Sequence, residues 1–164
     1  MPVMIQNYQP KDRAQIIALF DEFQDFIASL DPFRRLRRLP GYGDYALQKT
    51  LEEVAAHDGV FYVVTDQDVT IGFVAGTIKK PTQEELLELV PSTRGRITEL
   101  YICPSYRKQG IATRLIQEAE KHFVQRGCDV VRIEVFVPNQ EAHRLYKKLG
   151  YRDADIDLIK QIPR

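Results

Sequence analysis

The sequence is short of cysteine, of net charge and of long apolar runs, and each shortage removes a class of protein. Two cysteines, Cys103 and Cys128, cannot build a disulfide framework, and they lack the spacing of metal ligands. No structural or catalytic metal is therefore expected. Basic and acidic side chains balance at 23 each, so no global field draws the chain to nucleic acid. The longest apolar stretches, such as Val60–Val64, are strand-sized, far below the roughly 20 residues of a membrane span. The opening stretch Met1–Gln15 is polar and carries no apolar signal core, so a reducing, cytoplasmic setting is expected. Internal repeats and linker-like composition shifts are also absent. The 164 residues read as one domain, 1–164, long enough to bury a real core.

What is present is a succession of short periodic segments. Val3–Asn7 has the make-up of a strand. From Asp12, the residues Ile16, Ile17, Leu19, Phe20, Phe23, Phe26, Ile27 and Leu30 recur at helical spacing until Asp31-Pro32. A second helix is expected over Asp44–Ala56, after the breaker Pro40-Gly41-Tyr42-Gly43. Val60–Thr65 and Thr70–Ile78 read as a hairpin around Asp66-Gln67-Asp68. Glu84–Val90 has the pattern of a short helix in a connecting loop. Arg96–Ile102 is then a strand, Gly110–Gln125 a helix, and Val130–Val137 a strand with one apolar face. Asn139–Leu149 forms another helix, with Ala142, Leu145, Tyr146 and Leu149 on one side, and Ile156–Ile162 a closing strand. The order is α+β with a mixed sheet.

Chemistry is concentrated in the turn from Ile102 to Thr113. It leaves a strand and enters a helix, and the first N–H groups of a helix lack internal partners while the dipole makes that end positive. A phosphate or pyrophosphate suits such an end. Gly110 and Ala112 keep bulk off the backbone, and Arg107, Lys108 and Arg114 add charge nearby. The turn is neither a P-loop nor a dinucleotide fingerprint, and taken alone Gly110 fits a tight strand–helix turn equally well.

Its surroundings decide more. Leu100-Tyr101-Ile102-x-Pro104-x-Tyr106-Arg107-x-x-Gly110-x-Ala112 resembles the acetyl-CoA signature of GNAT N-acetyltransferases, Arg/Gln-x-x-Gly-x-Gly/Ala. Downstream, Asn139-x-x-Ala142-x-x-Leu145-Tyr146-x-x-Leu149-Gly150-Tyr151 resembles the family's second segment. The resemblance implies a GNAT-like fold, a mixed central sheet of about six to seven strands flanked by about four helices, with two central parallel strands splayed apart. It implies acetyl-CoA as co-substrate and no metal. The exposed main-chain groups of Leu100, Tyr101 and Ile102 would pair with the pantetheine amides, the backbone N–H groups of Lys108, Gln109, Gly110, Ile111, Ala112 and Thr113 would hold the pyrophosphate, and Arg107 counts among the cofactor-binding residues.

By the same resemblance Asn139 would bond the pantetheine portion, although a plain helix N-cap also explains an Asn there. Tyr146 stands at the family's position for assisting the departing thiolate, and it also lies on an apolar stripe as a packing aromatic would. Glu99 is the candidate general base, with ordered water as the alternative, since a strand bulge leaves its direction open. Cys103 has no base partner, and His57, His122 and His143 share no ligand spacing. The acceptor would be a small-molecule or peptide amine, and homodimers are frequent among members. Phe33, Tyr42, Tyr45, the cluster Arg34, Arg35, Arg37 and Arg38, and Lys79-Lys80 fall in the regions that would line its site. A non-catalytic acetyl-CoA sensor is the alternative from another class.

Overall fold

The computed structural model describes residues 3–163. Strand β1 (Met4–Asn7) is followed by helix α1 (Arg13–Leu30) and helix α2 (Tyr42–Ala56). The hairpin β2 (Val60–Asp66) and β3 (Val69–Lys79) leads to β4 (Arg94–Ile102), α3 (Ile111–Gln125), β5 (Val130–Ile133) and α4 (Gln140–Lys148). The strands form one sheet in the order β1-β2-β3-β4-β5, antiparallel throughout except for the parallel pair β4–β5. No helix among the described residues is long and apolar enough to cross a membrane.

The apolar spacing read from the sequence has a destination on each side of this sheet. Ile16, Leu19 and Phe20 of α1 and Leu47 of α2 bury against Phe61, Val63, Phe73, Ala75 and Tyr101. The α3 stripe of Ile111, Leu115, Ile116, Ala119 and Phe123 buries on the other face, with Val64, Val74 and Ile97. Phe123 lies so close to the sheet that a Cβ on Gly95 would run into its ring. That glycine is a packing requirement of the α3 crossover. After α1, the Asp31 carboxylate accepts N–H groups from Phe33, Arg35 and Leu36 at 2.9, 2.6 and 2.8 Å, which turns the chain toward α2.

Two expectations are corrected. The sheet has five strands, because Ile156–Ile162 does not pair. Asp153 ties this tail to His143 and Lys147 of α4 at 2.7 and 3.0 Å, and Asp155 bonds Arg132 at 2.6 Å. Beyond those anchors Ile156, Leu158, Ile159 and Ile162 are exposed. Strand propensity is fulfilled only on a pleated surface with neighbours, and this segment finds none. The strand expected over Val130–Val137 also stops early, at Ile133, and residues 134–139 leave the sheet. That early departure is what opens the site. Elsewhere the expected Glu84–Val90 helix contracts to a single 3-10 turn, Glu85–Leu87.

Candidate active site

β4 pairs with β5 only over Arg94–Ile97, opposite Val130–Ile133. From Thr98 to Ile102 its β5-facing edge has no strand beside it, so the two parallel strands part as the resemblance implied. Cys103 donates its N–H to Ile71 of β3 at 2.9 Å, so by alternation Leu100 and Ile102 turn their peptide groups to the open side while Tyr101 turns its own to β3. Of the three main-chain candidates, Leu100 and the N–H of Ile102 remain available on that edge, the Ile102 carbonyl being held by Arg107 Nε.

A bulge settles the direction of Glu99. Gly76 pairs with Ile97 but Ala75 pairs with Glu99, leaving Thr98 as the extra residue. Without it Ile97 and Glu99 would share a face. With it Ile97 joins the α3 side, and Glu99 shares the face of Ala75, under α1 and α2. There burial pushes the Glu99 carboxyl up to about 7, Glu53 adds to the rise, and Lys49 opposes it. Burial raises the Tyr42 phenol, and the Glu99 carboxylate adds to that rise. No hydrogen bond to the Glu99 carboxylate is formed among the described residues.

The turn after β4 ends in a bare helix N-terminus, the feature that suits an anion. A 3-10 turn at Pro104–Tyr106 leads to Lys108 with φ +62° and to Gly110 with φ +77°, the N-cap of α3. The N–H groups of residues 108–113 have no acceptor among the described residues, and no side chain caps the helix. Six consecutive N–H groups are therefore left without a partner at a helix N-terminus, where an anion is favoured. A Cβ on Gly110 would meet nothing within 4 Å, so the space above the cradle is open.

Two members of the expected basic trio make hydrogen bonds of their own. The N–H of Arg107 bonds Pro104 O at 3.2 Å, its Nε donates to Ile102 O at 3.0 Å, and its guanidinium lies 4.5 Å from the centre of the Phe26 ring. Arg107 thus locks the turn to the end of β4 and to α1, and it also lines the cleft between these elements. Arg114 donates to Val3 O at 3.4 Å, on the far side of the turn's start.

A cleft of about 670 Å³ joins these parts and includes Glu99, Leu100, Ile102, Lys108, Gly110, Ala112, Asn139 and Tyr146 in its lining. That is the size of an ordinary small-molecule site. Tyr146 is buried, its hydroxyl bonds no described residue, and burial pushes its phenol up to about 12. It therefore stays protonated across the physiological range. The Asn139 side chain accepts the Ala142 N–H at 3.3 Å, so the helix cap is made, and the same side chain borders the cleft. The Cys103 thiol lies outside the lining, and burial and the Glu22 carboxylate raise it, which opposes a nucleophilic thiolate. Gln109 directs its amide to Ser105 O at 3.3 Å. Among the described residues no three His, Cys, Asp or Glu side chains converge as metal ligands.

Sequence reasoning missed one wall. Phe23, Phe26 and Ile27 of α1 line the cleft, whereas Phe33, Tyr45, the arginine cluster and Lys79 do not. Arg38 is engaged with Asp25 at 2.8 Å, and Lys79 with Glu85 at 3.1 Å. The available signal was the length of the α1 stripe, which runs two turns beyond the residues that reach the core.

The model of the Acetyltransferase (GNAT) family matches residues 20–151. The chain belongs to the GNAT family. Among curated relatives, this GNAT protein is 25% identical to an N-alpha-acetyltransferase of Sulfurisphaera tokodaii over 79% of the chain and 78% of that enzyme. It is 37% identical to the thialysine N-epsilon-acetyltransferase of Mus musculus over 35% of the chain, which spans 34% of that protein. A Bacillus halodurans protein solved as a tetramutant superposes with a TM-score of 0.84 at 15% identity, covering 97% of this chain and 99% of that one. The aminoglycoside N-acetyltransferase AAC(6')-Iy, solved with a CoA bisubstrate analogue, superposes with a TM-score of 0.70 at 17% identity over both full chains. At those identities the superpositions establish the fold. With the family they make the protein an acyltransferase of GNAT type.

Proposed function

We propose that this GNAT protein transfers an acetyl group from acetyl-CoA to a primary amine by direct attack in a ternary complex. The observation that carries the reading is the row of six unpartnered N–H groups at residues 108–113, most of which line the same cleft as Glu99 and Tyr146. Lys108 through Thr113 hold the pyrophosphate through those amides. Leu100 and Ile102 pair with the pantetheine arm along the open edge of β4, and Asn139 borders the same arm. A cytoplasmic setting fits this donor and two free thiols.

Each residue then has a defined part. Glu99, poised near neutrality, takes the proton of the incoming ammonium, directly or through a water, so that the free amine attacks the thioester carbonyl. A main-chain N–H of the open β4 edge faces the carbonyl oxygen as it becomes negative. As the new C–N bond forms and the C–S bond breaks, the nitrogen gives up its second proton to solvent, and the Tyr146 hydroxyl donates its proton to the departing sulfur and recovers one from solvent. Relatives named as an N-alpha-acetyltransferase, a thialysine N-epsilon-acetyltransferase and an aminoglycoside N-acetyltransferase support an amine acceptor.

Calorimetry with CoA followed by a free-thiol assay over an amine panel tests the reading. Micromolar CoA binding together with amine-dependent thiol release is expected. CoA binding without thiol release for any amine would replace it with the acetyl-CoA sensor, and absent CoA binding would remove it.

A further inference from the structure

From the make-up of the α1 wall we infer that the acceptor is a primary amine carried next to a bulky apolar group. This deepens the acetyl transfer proposed above and rests on it. The apolar stripe of α1 outruns the core: Ile16, Leu19 and Phe20 are buried against the sheet, while Phe23, Phe26 and Ile27 remain half-buried and face the cleft. These three sit at i, i+3 and i+4, one continuous patch of a helix face. Every cleft residue from α1 is apolar. Most of the remaining lining, the β4 edge, the turn at 108–113, residues 133–136 and α4, belongs to the proposed donor half. The α1 patch, with Glu99 on the same face of the sheet, is left for the acceptor.

Packing keeps this patch rigid. Phe23 stacks on Tyr101 with ring centres 5.3 Å apart, and the Arg107 guanidinium covers Phe26 at 4.5 Å. Nε of Arg107 is engaged by Ile102 O, whereas its terminal nitrogens donate to no described residue. An amine presented to Glu99 would therefore have its neighbouring substituent against Phe23, Phe26 and Ile27, with a guanidinium at the border of the patch. A polyhydroxylated aminosugar would leave its hydroxyls unpaired against the same three side chains, which is costly. A long polyamine would need a second carboxylate along that wall, and α1 places none in the lining.

Two sources share this chemistry, a free arylalkylamine and a peptide N-terminus whose first side chain is large and apolar. Arg107 separates them, because only the peptide has a carbonyl one bond from the α-carbon for the guanidinium to bond. The test measures kcat/KM for phenethylamine against ethylamine, for phenylalaninamide and leucinamide against glycinamide, and for kanamycin and spermidine. Bulky members are expected to exceed their small counterparts roughly 10- to 200-fold. Ile27→Ala should lower kcat/KM for bulky acceptors far more than for ethylamine and leave the Kd for CoA unchanged. Phe26→Leu checks the same wall while keeping an apolar surface beneath Arg107. Arg107→Lys, folded by circular dichroism, should raise KM for the amides and spare phenethylamine if a peptide is the source. Equal effects on both point to the free amine. Preference for kanamycin or spermidine, or no dependence on bulk, would overturn the inference while CoA binding kept the acetyl-transfer reading intact. Loss of CoA binding by the wild type would bring down both.

Discussion

Replacing Glu99 with Gln should stabilise the protein at alkaline pH and do much less at acid pH. The Glu99 carboxyl ionises near 7 in the folded protein instead of 4.5, mainly because burial disfavours its charge. A folded pKa raised above the unfolded one means that the native state binds more protons between the two values. Stability therefore falls as pH rises from about 4.5 to about 7, and the loss is complete above that. The distance from 4.5 to about 7 corresponds to about 3 kcal/mol as an upper bound, and water reaching the cleft reduces it. Gln keeps the shape and cannot ionise, so it escapes the penalty. Whatever Gln costs in lost or gained hydrogen bonds is the same at both pH values and cancels in the comparison. Urea denaturation of both proteins at pH 5 and pH 8.5 should show a Gln-minus-Glu difference that is larger at pH 8.5 by roughly 1–3 kcal/mol. Equal differences at the two pH values would show a solvated carboxylate that ionises in its ordinary range, and the base assignment would lose its physical footing. In turnover, the same substitution should remove a rising limb of kcat/KM near pH 7 and leave only the limb of the acceptor amine.

Other substitutions probe the neighbouring groups. Since Glu53 raises Glu99 and Lys49 lowers it, Glu53→Gln should move the kinetic limb to lower pH and Lys49→Met to higher pH; a limb unmoved by both would detach it from Glu99. Tyr146→Phe keeps the ring in its buried place, so kcat should drop roughly 10- to 1000-fold with CoA affinity unchanged in calorimetry, and undiminished chemistry would leave Tyr146 as packing. Gly110 holds φ +77° under open space, so Gly110→Ala should cost about 1–2 kcal/mol of stability by backbone strain. Gly110→Glu should in addition weaken CoA by tenfold or more, and equal CoA affinity in the two variants would refute a phosphate at this cradle.

How far the sequence could be read divides along the range of the forces involved. The anion turn and the two helices that follow it were legible because helix starts, caps and glycine conformations depend on a few adjacent residues. Gly110 at its left-handed φ, the bare helix end at residues 108–113 and the Asn139 cap are all local events. The α1 stripe was equally plain, but its role was not, since periodicity says which face is apolar and nothing of what that face meets. Ile156–Ile162 shows the converse: strand-like composition with no strand, because pairing needs an edge that the segment itself does not contain.

By itself, the sequence determined the element order from the first strand to the last helix, the alternation that fills both faces of the sheet, and the turn between β4 and α3 with its companion helix. Only the tertiary structure decided which way Glu99 points, because the bulge at Thr98 arises from the register between β3 and β4, segments some twenty residues apart in the pairing Ala75 to Glu99. It also decided that Arg107 serves the Phe26 ring and the Ile102 carbonyl, a choice among partners that no spacing encodes. The raised pKa of Glu99 comes from the same source, because burial of a charge is set by what covers it, and here the cover is brought by a helix far away in the chain.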